Sequence, residues 1–540
     1  MQLTPSAHVD SFCRDNLPPP DQWPDLEFVL PELRYPDRLN AADELLDATI
    51  AARGADRRCL LSPAESWTYG DLASRVRQVA RVLTEDLGLL PGNRILLRGP
   101  NNPWLVACWF GVLKAGCVAV TTMPMLRAAE LTAISSLAQV TLALCDYRFT
   151  DELVAAAIPG MRIVEFGGHE PDDLTALAAD KPADFTSVQT AADDVAMIAF
   201  TSGTTGRPKA SMHFHRDLLA VAETFSAHVL RPVPEDLFAG TPPLAFTFGL
   251  GALVLFPFRV GAATLLLEKA TPAELADHIA AYGVTVLSTA PTAYRAMLAA
   301  GKTDQLRGLR RPVSAGEHLP TSTWQAFYEA TGAKIIDGIG STEMLHIFIA
   351  SADDEIRAGS TGKAVPGYTA AVLDNEGKLV PDGEPGHLAV KGPTGCRYLA
   401  DERQRSYVRD GWNYTGDTYI RDPDGYFWYQ ARSDDMIVSG GYNIAGPEIE
   451  EVLLGHPDVA ECGVVGVPDE ARGQIVKAFV ILRAGAARDE AKARELQDLV
   501  KQRIAPYKYP RAVEFVDALP RTNTGKLQRF VLRQQAAGRL

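Results

Sequence analysis

Between residues 41 and 150 the chain changes periodicity again and again, and this alternation restricts the fold more than any other feature. The segment Tyr69–Leu87 places Leu72, Val76, Val79 and Leu83 at helical spacing. "RILLRGP" (94–100) is an unbroken apolar run stopped by Gly and Pro, the pattern of a buried strand. "WLVACWFGVLKAG" is again helical and closes on Gly116, while "VAVTT" and "TLALCD" read as strands on either side of a further helix. Such strand–helix alternation requires a mostly parallel sheet with helices on both faces. Near 355–430 the texture changes to Gly, Pro and Asp between short β-type runs, which predicts a small β-barrel-like subdomain. After "ARSDDMIVSGG" the order helix, strand, strand, helix predicts a compact α+β unit. The expectation is an α/β fold: a large N-terminal domain (1–433) of doubly wound sheets that includes the β subdomain, and a small α+β C-terminal domain (434–540).

"VAMIAF" (195–200) is a buried strand that runs into "TSGTTGRPK" (201–209). Ligands of open α/β sheets bind beyond the carboxyl ends of the strands, where this loop would lie. Its glycines and hydroxyls (Thr201, Ser202, Gly203, Thr204, Thr205, Gly206) and Lys209 suit a phosphate. A Walker loop needs Lys directly after the last Gly; here Arg207 and Pro208 intervene, so that pattern fails. Taken alone, the stretch could equally be a flexible surface linker.

Four more motifs follow in order: "DGIGSTEM" (337–344), "NYTGD" (413–417), "ARSDDMIVSGGYNIAGPEIE" (431–450) and "LPRTNTGKLQR" (519–529). In this order and spacing the five resemble the core motifs of the adenylate-forming superfamily of acyl- and aryl-CoA synthetases, over about residues 40–530. A carboxylate is a poor acyl donor, so the chemistry that the resemblance implies joins AMP to it before a thiol attacks. Catalysis of that step is largely positioning plus fixed positive charge. The implied cofactors and substrates are ATP, Mg²⁺ and coenzyme A. Loop 201–209 would hold the β- and γ-phosphates, with Gly316, Glu317, Asp337, Gly338 and Ile339 also at the nucleotide. Glu343 would hold Mg²⁺, a hard cation that prefers oxygen, and Thr342 would touch the α-phosphate. Asp417 would accept both ribose hydroxyls, and Arg432 would add a ribose or phosphate contact. Lys526 would reach the α-phosphate and carboxylate oxygens from a mobile loop. Asp434 would be the hinge about which the small domain turns. Ser439, Gly440 and Gly441 would then meet the pantetheine arm, glycine permitting close backbone approach.

Each residue also has a plainer reading. Thr342–Glu343 could be a helix N-cap with its first-turn acid. Asp417 could be an Asx turn. Lys526 could be an exposed turn residue. His213 and His215, two apart in "MHFHR" with no third ligand nearby, read as structural.

The acid pocket is expected along "LAFTFGLG", "SAGEHLP" and "GIGSTEMLHIF", with Phe246, Phe248, Gly316, Gly338, Gly340 and Ile347 as walls. "FTFGLG" and "STEMLHIF" resemble benzoate-CoA ligases, and the N-terminal "DNLPPPDQWPDL" with "PELRYPDRLN" resembles the 2-aminobenzoate (anthranilate) branch. Where many members carry an aromatic residue to stack on adenine, this chain has Ile339. His346 and Thr247 are the polar candidates for an ortho substituent, because a buried amino group without a partner is costly.

Several classes are argued against. The formal net charge of −14 offers no cationic face for nucleic acid. The seven scattered cysteines form no C-x-x-C pair, which speaks against a disulfide framework and for a reducing compartment such as the cytoplasm. The N-terminus lacks a basic region followed by an apolar stretch, so no secretion signal is expected. The uncharged stretch 239–258 is broken by Pro242, Pro243, Pro257, Gly240, Gly249 and Gly251, so a buried strand-and-turn segment is expected rather than a membrane helix. The partners expected are small molecules (aryl acid, ATP, coenzyme A), with no nucleic acid and no membrane; a homodimer is compatible with the sequence. Two rival readings stay open: adenylation for a separate carrier protein, and a non-catalytic nucleotide-binding protein on the same fold.

Overall fold

The structure, a computed structural model, describes residues 3–201, 208–432, 435–439, 442–469, 472–522 and 525–538. Two large sheets form the N-terminal part. The first has six strands in the order Arg162–Phe166, Leu142–Asp146, Arg94–Arg98, Val118–Thr122, Val195–Thr201 and Lys209–Phe214. The first five are parallel and the last is antiparallel. The second sheet has nine strands; its parallel centre runs from Arg58–Leu61 to Ile336–Gly340, with antiparallel strands at both edges.

Local sequence explains the elements between them. Helix Tyr69–Arg81 starts at a capping box: the Asp71 amide donates to Thr68 Oγ1 (3.1 Å) and the Thr68 amide donates to Asp71 Oδ2 (2.9 Å). Helix Pro103–Lys114 has Pro at its first position and an Asn102 cap that accepts from the Leu105 amide, and it turns off at Gly116, φ +69°. The two helices pack closely because Gly111 has no side chain; a Cβ there would lie 2.6 Å from Val79 Cγ1. Strand Arg94–Arg98 is buried throughout, yet it begins and ends on arginine. Arg98 is satisfied by four main-chain carbonyls, those of Phe149, Met123, Pro124 and Leu126.

The stretch 239–258 departs from expectation. A short strand, Leu237–Gly240, and a turn are followed by continuous helical backbone from Thr247 to Val260. Its glycines serve tertiary contact. A Cβ at Gly249 would meet the Pro243 carbonyl at 2.1 Å, and one at Gly251 would meet His346 Cδ2 at 2.3 Å. Pro257 follows the wider π-helical turn Gly251–Leu255 within this continuous run. Among the described residues no helix is long and apolar enough to cross a membrane.

The β subdomain is an open, antiparallel five-stranded sheet that contains Thr369–Leu373, Pro385–Lys391, Trp412–Arg421 and Phe427–Arg432. Beyond it, Gly446–Leu454 and Glu490–Arg503 cover a three-stranded sheet, and Arg529–Ala536 packs against strand Val459–Asp469. This C-terminal unit touches the rest through polar contacts. Glu451 accepts from the Thr321 amide (3.1 Å), and Arg521 lies 3.6 Å from Glu317.

Candidate active site

The site lies where the two sheets and the C-terminal unit meet. In the first sheet, Thr201 pairs with Lys209 at the end of a buried strand. Ser202, Gly203, Thr204, Thr205 and Gly206 lie outside the described residues, as do Asp434, Gly440 and Gly441. Lys209 Nζ stands 5.3 Å from the ring centroid of Tyr398.

From the second sheet comes the turn 341–346, which joins strands Ile336–Gly340 and Ile347–Ala350. Thr342 and Glu343 therefore sit in a strand-to-strand turn, not at a helix N-terminus. The turn is tight. Ser341 Oγ accepts from the Met344 amide (3.2 Å), and buried Leu345 adopts φ +68°, a strained value for a branched residue. Gly340 must be glycine, since a Cβ would lie 2.6 Å from the His346 carbonyl, and Ile347 packs beneath Gly338. Glu343 is buried and accepts a 2.5 Å hydrogen bond from the Tyr398 hydroxyl. Asp337, second in this strand, has one carboxylate oxygen without a hydrogen-bond partner among the described residues, and burial pushes its pKa up to about 7. Ile339 packs its aliphatic side chain against the main core.

The β subdomain presents Asp417 opposite Arg432 on adjacent strands. The Arg432 guanidinium is 3.3 Å from Asp417 Oδ1 and donates to the Thr415 carbonyl. Gly416, at φ +79°, leaves room for it; a Cβ would be 2.9 Å from Arg432 Nη2. Desolvation raises the Asp417 pKa, with Arg432 opposing.

Lys526 arrives from the C-terminal unit. Its Cε lies 3.8 Å from where a Cβ on Gly316 would stand, and Gly316 holds φ +88°. The side chain keeps solvent access but lies in a crowded cleft. Desolvation lowers its pKa first and Arg432 lowers it further, while Asp417, Glu317 and Glu343 pull it upward. Lys526, Gly316, Glu317, Glu343, Asp417 and Arg432 thus share one cleft although 210 positions separate the first two. Ser439 is buried, and its hydroxyl has no hydrogen-bond partner among the described residues.

Against the turn lies an aromatic box. The His346 ring is enclosed by Phe256 (4.5 Å between centroids), Phe225 (5.5 Å) and Phe248 (5.6 Å), with Gly251 below. Among the described residues neither imidazole nitrogen makes a hydrogen bond of good geometry, and the nearby Phe248 main chain favours the protonated ring only weakly; burial outweighs it and lowers the pKa to about 3, so the ring is neutral. Phe246 caps the helix, and Thr247 is its first residue. Asn101, just past the end of a strand of the first sheet, braces this segment by accepting from the Leu244 amide (2.8 Å) and donating to the Pro242 carbonyl (3.1 Å). His213 and His215 are fully buried; His215 Nδ1 accepts from the Ala41 amide.

Sequence reasoning passed over Tyr398, Tyr407 and Asn101. "CRYLADERQRSY" carries no periodicity that separates it from an ordinary loop, and only the fold shows which carboxylate Tyr398 meets. A cation fits at Glu343 as far as donor chemistry goes, a hard oxygen ligand held in place. Among the described residues no group of three His, Cys, Asp or Glu could hold an ion. Most of such an ion's ligands would therefore come from phosphate and water.

Residues 47–398 match the AMP-binding enzyme family, and 448–526 match the AMP-binding enzyme C-terminal domain. The chain belongs to the AMP-binding enzyme family. It is 35% identical to the benzoate–CoA ligase of Thauera aromatica, over 93% of this chain and 97% of that protein. The crystal structure of the anthranilate CoA ligase AuaEII in complex with anthranoyl-AMP superposes with a TM-score of 0.90 at 35% identity, covering 95% of this chain and all (100%) of that one. A benzoate CoA ligase from Burkholderia xenovorans LB400 gives 0.84 at 33% identity, covering 92% and 100%. These are AMP-forming acid–thiol ligases of aromatic acids, and the fold read from the motifs is theirs.

Proposed function

We propose that this AMP-binding enzyme is an ATP-dependent aryl-CoA ligase that acts on 2-aminobenzoate. The observation that carries the substrate is His346, a buried neutral imidazole that makes no well-formed hydrogen bond among the described residues, inside a box of three phenylalanines. The His346 ring itself fills this box, and the ortho amino group of a flat acid lying beside it could donate to an imidazole nitrogen that makes no well-formed hydrogen bond. Thr247, at the start of the neighbouring helix, is the second polar candidate. The likeness to an anthranilate CoA ligase supports this reading. Benzoate is the second reading, supported by the equally similar benzoate–CoA ligase of Thauera aromatica.

In this reading the acid lies beside the box with its carboxylate toward the cleft. Loop 201–209 with Lys209 holds the phosphates, while Asp417 and Arg432 hold the ribose. Asp337, Gly338, Ile339, Gly316 and Glu317 line the adenine and α-phosphate side. Lys526 and Thr342 orient the carboxylate and α-phosphate and carry positive charge and hydrogen bonds to the oxygens that become negative as pyrophosphate leaves. Mg²⁺, which Glu343 would hold, supplies additional charge to the triphosphate. The unit beyond Asp434 then turns about that residue, withdrawing Lys526 and bringing Ser439, Gly440 and Gly441 to the pantetheine arm, and the thiol displaces AMP. The domains meet at residue 434. The seven cysteines, all buried free thiols, support a reducing, cytoplasmic setting.

A panel of substituted benzoates, read by AMP release with coenzyme A, tests the assignment. The expected result is the highest kcat/KM for 2-aminobenzoate, with His346→Leu or Thr247→Ala lowering it about tenfold more than that for benzoate. Equal loss for both acids removes the ortho-amino contact. Failure of labelled pyrophosphate to enter ATP with any aryl acid would refute the ligase reading.

A further inference from the structure

Two tyrosines that the proposed mechanism does not use reach the Glu343 turn from the β subdomain. Residues 396–399 run antiparallel beside strand Lys209–Phe214, the strand that leaves the phosphate loop: the Met212 amide donates to the Arg397 carbonyl (2.8 Å), and the Leu399 amide donates to the Ala210 carbonyl (2.9 Å). In extended backbone successive side chains face opposite ways. Arg397 turns inward, against the Phe214 ring and paired with buried Asp217. Tyr398 therefore turns toward the cleft. Its main chain is pinned by Gln404 (amide to Oε1, 2.9 Å), and its ring meets Tyr407 edge to face at 5.8 Å.

The contacts of Tyr398 are with two opposite charges. Lys209 lies over its ring face, and Glu343 accepts from its hydroxyl. Among the described contacts Lys209 and Glu343 meet Tyr398 rather than each other. Left unrestrained, a lysine and a glutamate this close to a common side chain would collapse into an ion pair, since Coulomb attraction grows in a half-buried cleft. Tyr407 meets the other end of the turn: its hydroxyl is 3.2 Å from Ser341 Oγ, which caps the Met344 amide.

We propose that Tyr398 is a positioning residue: its ring keeps the phosphate-loop lysine apart from Glu343, and its hydroxyl aims the Glu343 carboxylate at a nucleotide-bound divalent cation. The inference rests on the ligase reading for the identity of the nucleotide, but not for the metal geometry. Tyr398→Phe keeps the spacer and loses the aim. Outer-shell hydrogen bonds of this kind are worth about 10–100-fold in metal affinity. Tyr407→Phe, which loses the same atom at the Ser341 end of the turn, is the comparison.

The test uses the full chain and Mn²⁺ with a non-hydrolysable ATP analogue, with bound Mn²⁺ followed by electron paramagnetic resonance, so that no turnover is needed. Tyr398→Phe should raise the dissociation constant of Mn²⁺ from the nucleotide complex about tenfold, leave the melting temperature near that of wild type, and change thioester formation from supplied aryl-AMP less than twofold. Tyr407→Phe should leave Mn²⁺ affinity within about twofold. Unchanged Mn²⁺ affinity in Tyr398→Phe overturns the proposal, as do equal losses in both variants. Wild-type protein that binds the metal–nucleotide pair but activates no aryl acid counts against the ligase reading alone.

Discussion

A methyl group added at residue 251 would lie 2.3 Å from His346 Cδ2 and 2.6 Å from Nε2, inside the ring's van der Waals envelope. The imidazole, boxed by three phenylalanines, has little space to retreat. Gly251→Ala should therefore destabilise the chain by about 1–3 kcal/mol, the usual range for overpacking, and raise KM for the aryl acid while KM for ATP stays put. Denaturant titration and steady-state kinetics check both arms; an unchanged acid KM would separate His346 from the pocket. Asp337 gives a second prediction. Burial holds its carboxyl at about 7 in the folded chain, above the roughly 3.9 of an unfolded one. The folded state thus binds this proton more tightly, so the associated stability is fullest below about pH 4 and is lost as pH rises through 7. Asp337→Asn should flatten the melting temperature between pH 4.5 and 7.5 by about 2 °C or more, and an unaltered slope would refute the shift.

At the scale of elements, what could be read from the chain follows from where periodicity and burial agree. Strands such as Arg94–Arg98 and Val195–Thr201 are buried on both faces and read as uninterrupted apolar runs, and the capped helices Tyr69–Arg81 and Pro103–Lys114 carry their signals within a few residues. Helix Thr247–Val260 was not legible. Its Gly249 and Gly251 look like breakers in one dimension, and only the approach of Pro243 and His346 shows why a helix tolerates them. The Glu343 turn was legible as a motif but not as a shape, because its geometry depends on Tyr398 and Tyr407, more than 50 residues away. The same holds for the pairing of Asp417 with Arg432: each residue stood out, but their strand register did not.

At the scale of the whole molecule, Lys526 belongs to one unit, whereas the groups that surround it (Gly316, Glu317, Glu343, Asp417 and Arg432) belong to the other. Lys526→Ala should lower pyrophosphate exchange by about 10²–10³-fold, the size of effect seen when one preorganised charge or donor is removed. Thioester formation from supplied aryl-AMP should stay within about threefold. Comparable damage to both steps would contradict a unit that turns between them. Two contacts across the boundary, Glu451 to Thr321 and Arg521 to Glu317, are polar, which suits a joint that would part under the proposed rotation. Near the lysine, the Arg521 guanidinium donates to the Gly525 carbonyl (2.5 Å), and the Thr522 amide donates to the Lys526 carbonyl (2.8 Å). Mechanically, the proposed rotation would carry the ammonium together with its parent body, so its effective concentration at the substrate would follow the angle of that body.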